Sequence, residues 1–276
     1  MTKVYNRELK KIEEVKHFGG NTLKKIYRSK LLTRMATSKF ISKVYGIYNN
    51  SKFSKRKINK FIKENNIDLS LYEDKKYNSF NDFFIRKYKE INFSKDFSSP
   101  CDAKLLVYKI TDNLRVKVKD IEYSLEELFN DKLTEFKDSY MFIYRLSLDD
   151  CHRYYYIDDG ELEESIRIKG RLHTVSDSSS KYKIYKENER IYSILNTKSF
   201  GKIVYMEVGA LLVGKIINYN KKEFSRGEEK GYFLPGGSTI IILANNIKVD
   251  KDILEYSSKG IETVVKIGEK VGEKDV

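Results

Sequence analysis

The residue in this sequence best placed to do chemistry is a serine that follows two glycines. It is Ser238, in the stretch Phe233-Leu234-Pro235-Gly236-Gly237-Ser238-Thr239. A serine hydroxyl can attack the carbonyl just before it when the peptide is held in a strained turn. Gly237 leaves that carbonyl open to approach and tolerates backbone angles that other residues avoid. The attack exchanges the peptide bond for an ester. β-Elimination from that ester leaves a dehydroalanine, which hydrolyses to a pyruvoyl group. The same residues also spell a plain glycine-rich turn between two strands, and spacing alone does not separate the two readings.

Acid–base candidates are few, because the chain has only three histidines: His17, His152 and His173. His152 lies in "LSLDDCHRYYYIDDG" (146–160), which crowds acids, an arginine and three tyrosines at a strand end. His17 falls in a helical stretch and reads as a surface residue. No His-x-His or His-x-x-x-His spacing occurs, so no metal site is expected. The loop "PGGST" lacks the lysine of a phosphate-binding loop and joins two strand-like runs, which argues against nucleotide. Cys101 and Cys151 form no Cys-x-x-Cys pair, and a reducing environment with free thiols suits them.

Two kinds of element must hold these residues. Residues 1–90 lack proline and read as helical. In "LKKIYRSKLLTRMATSKFISKVYGIYNN" (23–50), Leu31, Leu32, Met35, Phe40, Ile41, Val44 and Tyr45 can form apolar stripes beside a run of lysines and arginines. That pattern fits a helix lying in a lipid interface, and equally a helix packed on its own domain with a solvated basic face. Further helices are predicted over 54–66 and 80–91. From about residue 98 the texture becomes a succession of strand-like runs separated by polar turns. We therefore expect an α+β protein: a helical region over 1–97 on a mostly antiparallel β-sandwich or barrel-like core over 98–276.

The totals bound the partners. Of 276 residues, 53 are Lys or Arg and 40 are Asp or Glu, a net charge of +13, which favours an anionic partner. No nucleic-acid motif is present, so nucleic acid is not expected. No segment approaches the roughly 18 apolar residues needed to span a bilayer, and no secretory signal is visible. The expected location is the cytoplasm, free or on a membrane surface.

Taken in order, five blocks resemble the pyruvoyl-dependent phosphatidylserine decarboxylases. "FNDFFIRKYK" (80–89) is similar to the family's helix before the core. "SSPCDAKLLVY" (98–108) resembles its Ser-Pro-x-Asp-Gly segment, with Asp102 at the aspartate. "LSLDDCHRYYYIDDG" (146–160) is similar to its Asp-Tyr-His-Arg-x-His segment. "MEVGALLVGKI" (206–216) matches the strands before the site, and "RGEEKGYFLPGGSTIIIL" (226–243) resembles the signature that ends in Gly-Ser-Thr. The resemblance implies cleavage between Gly237 and Ser238, giving a β chain, 1–237, and an α chain, 238–276. Ser238 would become a covalent pyruvoyl cofactor, the electron sink for loss of CO2 from phosphatidylserine to give phosphatidylethanolamine. Asp102 would orient and charge the processing base, and His152 would handle substrate or deliver a proton. The resemblance also implies peripheral attachment to an anionic membrane at its cytoplasmic face, and a homodimer is compatible with it.

The chain departs from the family where the second histidine of that motif belongs, for it has Tyr155. A histidine near pKa 6.5 can take the serine proton at neutral pH, whereas a tyrosine near 10 starts protonated. That gap is about 5 kcal/mol of proton-transfer driving force. The glycine after Asp102 is Ala103, Cys151 replaces a tyrosine, and "HTVSDSS" (173–179) also differs. Three outcomes follow. Another group serves as base (Asp102, His152, or His173 as a substitute), cleavage is slow, or the chain never matures and acts as an anionic-lipid-binding relative. A soluble amino-acid decarboxylase using the same group is a further alternative.

Overall fold

A computed structural model of the chain describes residues 2–15, 25–118, 121–173, 183–210, 215–236 and 238–275. His17, Gly237 and residues 174–179 of the divergent segment lie outside the described residues. The strands are β1 Thr2–Asn6, β2 Lys11–Val15, β3 Phe97–Ser98, β4 Ala103–Lys109, β5 Arg115–Val118, β6 Ile121–Ser124, β7 Tyr140–Leu146, β8 Arg153–Tyr155 and β9 Gly160–Ile168. They continue with β10 Arg190–Thr197, β11 Gly201–Gly209, β12 Ile216–Asn218, β13 Glu223–Phe224, β14 Glu229–Phe233, β15 Ser238–Ala244, β16 Ile247–Val249, β17 Glu262–Val265 and β18 Lys270–Lys274. The α-helices are α1 Lys30–Ala36, α2 Lys39–Asn50, α3 Ile58–Asn65, α4 Phe80–Phe84, α5 Leu125–Phe129, α6 Ile184–Glu187 and α7 Lys251–Ser258.

One ten-stranded sheet runs in the order β13-β9-β10-β11-β15-β7-β4-β17-β1-β2. Its pairs are antiparallel except for β1 with β17. The barrel-like expectation is corrected here: the order is linear and the sheet stays open, because β2 ends it as the outer strand of a hairpin. Both faces are covered. Ile240 and Ile242 of β15 pack with Leu105, Phe142, Tyr144 and Ile203 on one side. Ile241 and Leu243 pack with Met141, Ile143, Val204 and Met206 on the other. Burial on two faces is why β15 reads as an almost unbroken apolar run and not as an alternation.

The helical expectation for 1–90 fails at its start, where β1 and β2 form a hairpin on the edge of β17. Backbone groups at an open sheet edge need partners, and that long-range demand overrides local propensity. The hairpin is locked from outside as well: Tyr5 stacks on Tyr256 with ring centroids 3.9 Å apart, and Val4 is buried. Arg7 meets Asp250, Asp252 and Glu269, each at 2.8 Å.

Helices do form in the described part of the N-terminal region from residue 25 to residue 84, in shorter pieces than predicted. The 23–50 stretch breaks at Thr37–Ser38, where Ser38 caps α2 by accepting from the Ile41 amide. The 54–66 stretch is a 3-10 turn, Lys52–Lys57, followed by α3, which stops at Asn66 in a left-handed conformation (φ 51°). The 80–91 helix ends at Phe84. Beyond it the backbone of Lys87 and Lys89 bonds to Glu73 and Leu71, an extended arrangement that carries Tyr88 toward the core. Phe80, Phe83 and Phe84 form a small apolar cluster with Ile58 and Phe61, which ties α3 and α4 together.

Candidate active site

Ser238 opens β15, and its neighbours across the sheet are Leu146 of β7 and Gly209 of β11. The residue is fully buried, and its hydroxyl makes no hydrogen bond among the described residues. An unpaired buried hydroxyl costs roughly 1–3 kcal/mol, so its persistence calls for a chemical reason. The loop leading to it is held at both ends of its approach. The Phe233 amide donates to His152 O (2.9 Å), and the Leu234 amide donates to Lys215 O (3.0 Å). Gly236 has φ 148°, a region essentially reserved for glycine.

His152 sits against this loop. Its Nδ1 lies 3.0 Å from Asp150 O and its Nε2 3.1 Å from Gly236 O. Phe84 covers the ring at a centroid distance of 4.2 Å. Burial lowers the imidazole pKa to about 4, so the ring is neutral at pH 7. A neutral imidazole carries one N–H, yet both nitrogens face carbonyl oxygens. Only one of these contacts can be a hydrogen bond, and the other sets lone pair against lone pair.

The strand end carrying His152 is braced from two sides. Arg86, just past α4, donates from Nη2 to Asp149 O (2.6 Å) and Asp150 O (3.3 Å). Lys104 of β4 bonds both carboxylate oxygens of Asp150 at 2.8 Å, and the Ser147 amide donates to Oδ2 at 2.7 Å. Burial opposes the charge on Asp150, but Lys104 and the Ser147 amide outweigh it and hold the carboxyl below its usual range.

Asp102, the residue expected to orient the base, is engaged by other groups in this structure. Asp102 Oδ2 accepts from the Tyr88 hydroxyl at 2.5 Å, and Oδ1 accepts from the Ile267 amide at 3.0 Å. Burial, followed by the charge of Asp102, pushes the Tyr88 hydroxyl far above its ordinary pKa, so Tyr88 is the donor. Tyr155 is buried in β8, and its hydroxyl has no partner among the described residues. Burial raises its pKa well above 10 and makes it a poorer base than in water.

His173 is linked to the strand opposite the serine through Asn188. Its Nε2 lies 3.3 Å from Glu187 Oε2. Its amide donates to Asn188 Oδ1 at 2.8 Å, and Asn188 Nδ2 donates at 2.8 Å to both His173 O and Gly209 O. Gly209 is the residue that pairs with Ser238. Burial lowers the His173 pKa, so this ring too is neutral at pH 7. Sequence reasoning missed Glu187, Asn188, Arg86 and Tyr88. The run "KENERIY" (186–192) signalled only a strand start, and the roles of these residues exist only through distant partners.

A cavity of about 220 Å³ adjoins the loop, lined mostly by apolar groups of α2, α3 and α4 together with Leu148, Pro235 and Gly236. It brings a site for an apolar or amphipathic molecule next to Ser238. Together these features give a buried, unpaired serine hydroxyl after a glycine turn, with neutral His152 against the same loop.

Comparison with known proteins identifies the family. Residues 80–273 match the family model described as phosphatidylserine decarboxylase. The chain is 51% identical to phosphatidylserine decarboxylase proenzyme 2 of Clostridium acetobutylicum, with 98% of each chain covered. It is 42% identical to the phosphatidylserine decarboxylase proenzymes of Clostridium novyi and Clostridium tetani, covering 99% of this chain in each case. On that evidence the chain belongs to the phosphatidylserine decarboxylase family, whose members are carboxy-lyases.

Proposed function

We propose that the chain cuts itself between Gly237 and Ser238 and then decarboxylates phosphatidylserine to phosphatidylethanolamine with a pyruvoyl group made from Ser238. The observation that carries this reading is the Ser238 hydroxyl, buried and unpaired at the head of a central strand, just after the Gly236 kink. The word proenzyme in the relatives' names agrees with a chain that matures by cleavage.

For the first step the base is His173, backed by the Glu187 carboxylate. Burial keeps His173 neutral and able to accept a proton, while Glu187 stabilises the cation that forms. Asn188 fixes His173 to the strand residue opposite Ser238. Tyr155, protonated throughout, leaves this role open. Asp102 with Tyr88 shapes the floor beneath Cys151, whose amide lies 3.5 Å from Asp102 Oδ2.

For the second step the pyruvoyl group supplies the electron sink that lets CO2 leave the substrate. His152 holds a proton at Nε2, the nitrogen that faces Gly236 O before cleavage, and delivers it to the carbon that CO2 leaves. Phe84 excludes water from that side of the ring. The substrate is a bilayer lipid, and the surface of α1, α2 and the following 3-10 turn suits one. Leu32, Met35, Phe40, Val44, Ile47 and Phe53 are all exposed there, amid basic residues. No helix of the described residues is long and apolar enough to cross a membrane; the attachment proposed here is peripheral, through this exposed face. The anionic cytoplasmic leaflet is the surface this charge fits.

The test is the intact mass of the purified protein. Two chains, split at 237/238 and with the smaller one blocked at its N-terminus, support the proposal. One intact chain, unchanged in Ser238→Ala, removes it in favour of a lipid-binding relative.

A further inference from the structure

Among the described residues, the cavity beside the glycine loop contains one cation that its surroundings do not neutralise. Lys57 closes the 3-10 turn and reaches into the space lined by Tyr45, Phe61, Phe80, Phe84 and Gly236. Its ammonium lies 4.2 Å from the Tyr48 ring centroid, 5.2 Å from that of Tyr45 and 5.8 Å from that of Phe80. Its one hydrogen bond among the described residues goes to Asn49 Oδ1, at 3.0 Å. The other charged groups on the lining are Lys60 and Glu64, which face each other at 3.7 Å and cancel. Among the described residues the cavity therefore carries a net single positive charge, with aromatic faces around it and no carboxylate engaging the Lys57 ammonium. Burial alone lowers the Lys57 pKa, as expected for an ammonium partly withdrawn from water without an anion beside it.

We propose that Lys57 is the residue that reads the phosphodiester of the substrate's headgroup. A phosphodiester carries one negative charge, which matches the single uncompensated cation. An ammonium on a flexible stem binds phosphate as a point charge with three donors. The position also fits the course of a lipid, since α2 offers exposed Phe40, Val44 and Ile47 on one side and turns Tyr45 toward the cavity. A lipid leaving the bilayer at that face would place its phosphate at Lys57 and carry its amino-acid end toward Gly236 and His152. This inference rests on the proposed reaction for its substrate, but its binding arm can be measured without turnover.

The experiment compares wild type, Lys57→Met and Lys57→Arg with phosphatidylserine in detergent micelles, where membrane docking does not contribute. Lys57→Met is expected to raise KM roughly ten- to hundredfold, the worth of a charge-assisted hydrogen bond, with kcat little changed and self-cleavage intact. Lys57→Arg is expected to recover most of the loss. Soluble glycerophosphoserine should compete with substrate in wild type and weaken by a similar factor in Lys57→Met, whereas free L-serine should compete equally in both. An unchanged KM, a loss confined to kcat, or equal weakening of both competitors would overturn the proposal. If wild type were never cleaved, the proposed reaction would fall. Titration of the intact chain with glycerophosphoserine would still decide this point: binding lost in Lys57→Met supports it, and equal binding overturns it.

Discussion

His152 and His173 are both buried and both neutral at pH 7, and on the proposed reading they divide the work between them. His173→Gln should leave the chain uncut or slow cleavage by at least about a hundredfold, as expected for loss of a general base. His152→Gln should still be cut, yet lose decarboxylation. Intact mass and product assay on the same preparations separate the two, and the reverse pattern would exchange the roles. The pH dependence of stability follows from the same burial. The folded pKa of His152 is about 4 against an ordinary value of 6.5, so between these values the unfolded chain binds a proton that the folded one refuses. Stability is therefore full above pH 6.5 and falls as pH drops toward 4, by about 3 kcal/mol from this residue, with His173 acting in the same direction. Thermal melts of the uncut Ser238→Ala chain at pH 7.5 and 4.5 should show the drop, and adding His152→Gln should flatten it. Ser238, His152 and Tyr155 were legible in the sequence because they sit in contiguous motifs. Glu187 and Asn188 were not, since a carboxylate and an amide before a strand say nothing until β11 arrives beside them.

At the scale of elements, the three-to-four spacing over 23–50 did foretell helices with an apolar stripe, and the structure leaves much of that stripe exposed on α1 and α2. Replacing Phe40, Val44 and Ile47 by aspartate together should abolish pelleting with phosphatidylserine vesicles while self-cleavage proceeds unchanged. A triple variant that still pellets would move the docking surface elsewhere. The N-terminal hairpin was not legible. Five-residue strands give too short an alternation to stand out from a helical background, and their partner β17 lies at the other end of the chain. Likewise, nothing local in "FNDFFIRKYKEI" marks where α4 stops, because bonds from Leu71 and Glu73 set that limit.

Considered as a whole molecule, a net charge of +13 should make vesicle binding salt-sensitive, with a clear loss between 0.1 and roughly 0.5 M NaCl as the Debye length shrinks. Binding that ignores salt would mean the exposed apolar face does all the work. Under the proposed cleavage the molecule must also survive its own scission. The segment from Ser238 onward contributes β15 between β11 and β7, β17 between β4 and β1, and β18 beside β3. Arg7 then joins the N-terminal hairpin to three carboxylates on that segment. Arg7→Met should lower the urea stability of the cut protein by about 1–2 kcal/mol, a figure held down by partial exposure of the group. An unchanged midpoint would show that the strands alone suffice.

The place of β15 in the middle of the sheet has a consequence for the life history of each molecule. A dissociable cofactor can be swapped when damaged, but a group borne on the first residue of a central strand cannot leave without dismantling its neighbours on both sides. Ser238 is wholly enclosed, so the proposed ripening is left to the fold itself. On the proposed cleavage, each copy has one chance to arm itself, and its working life ends when that single group is spent. A cell can restore the activity only by synthesising new chains.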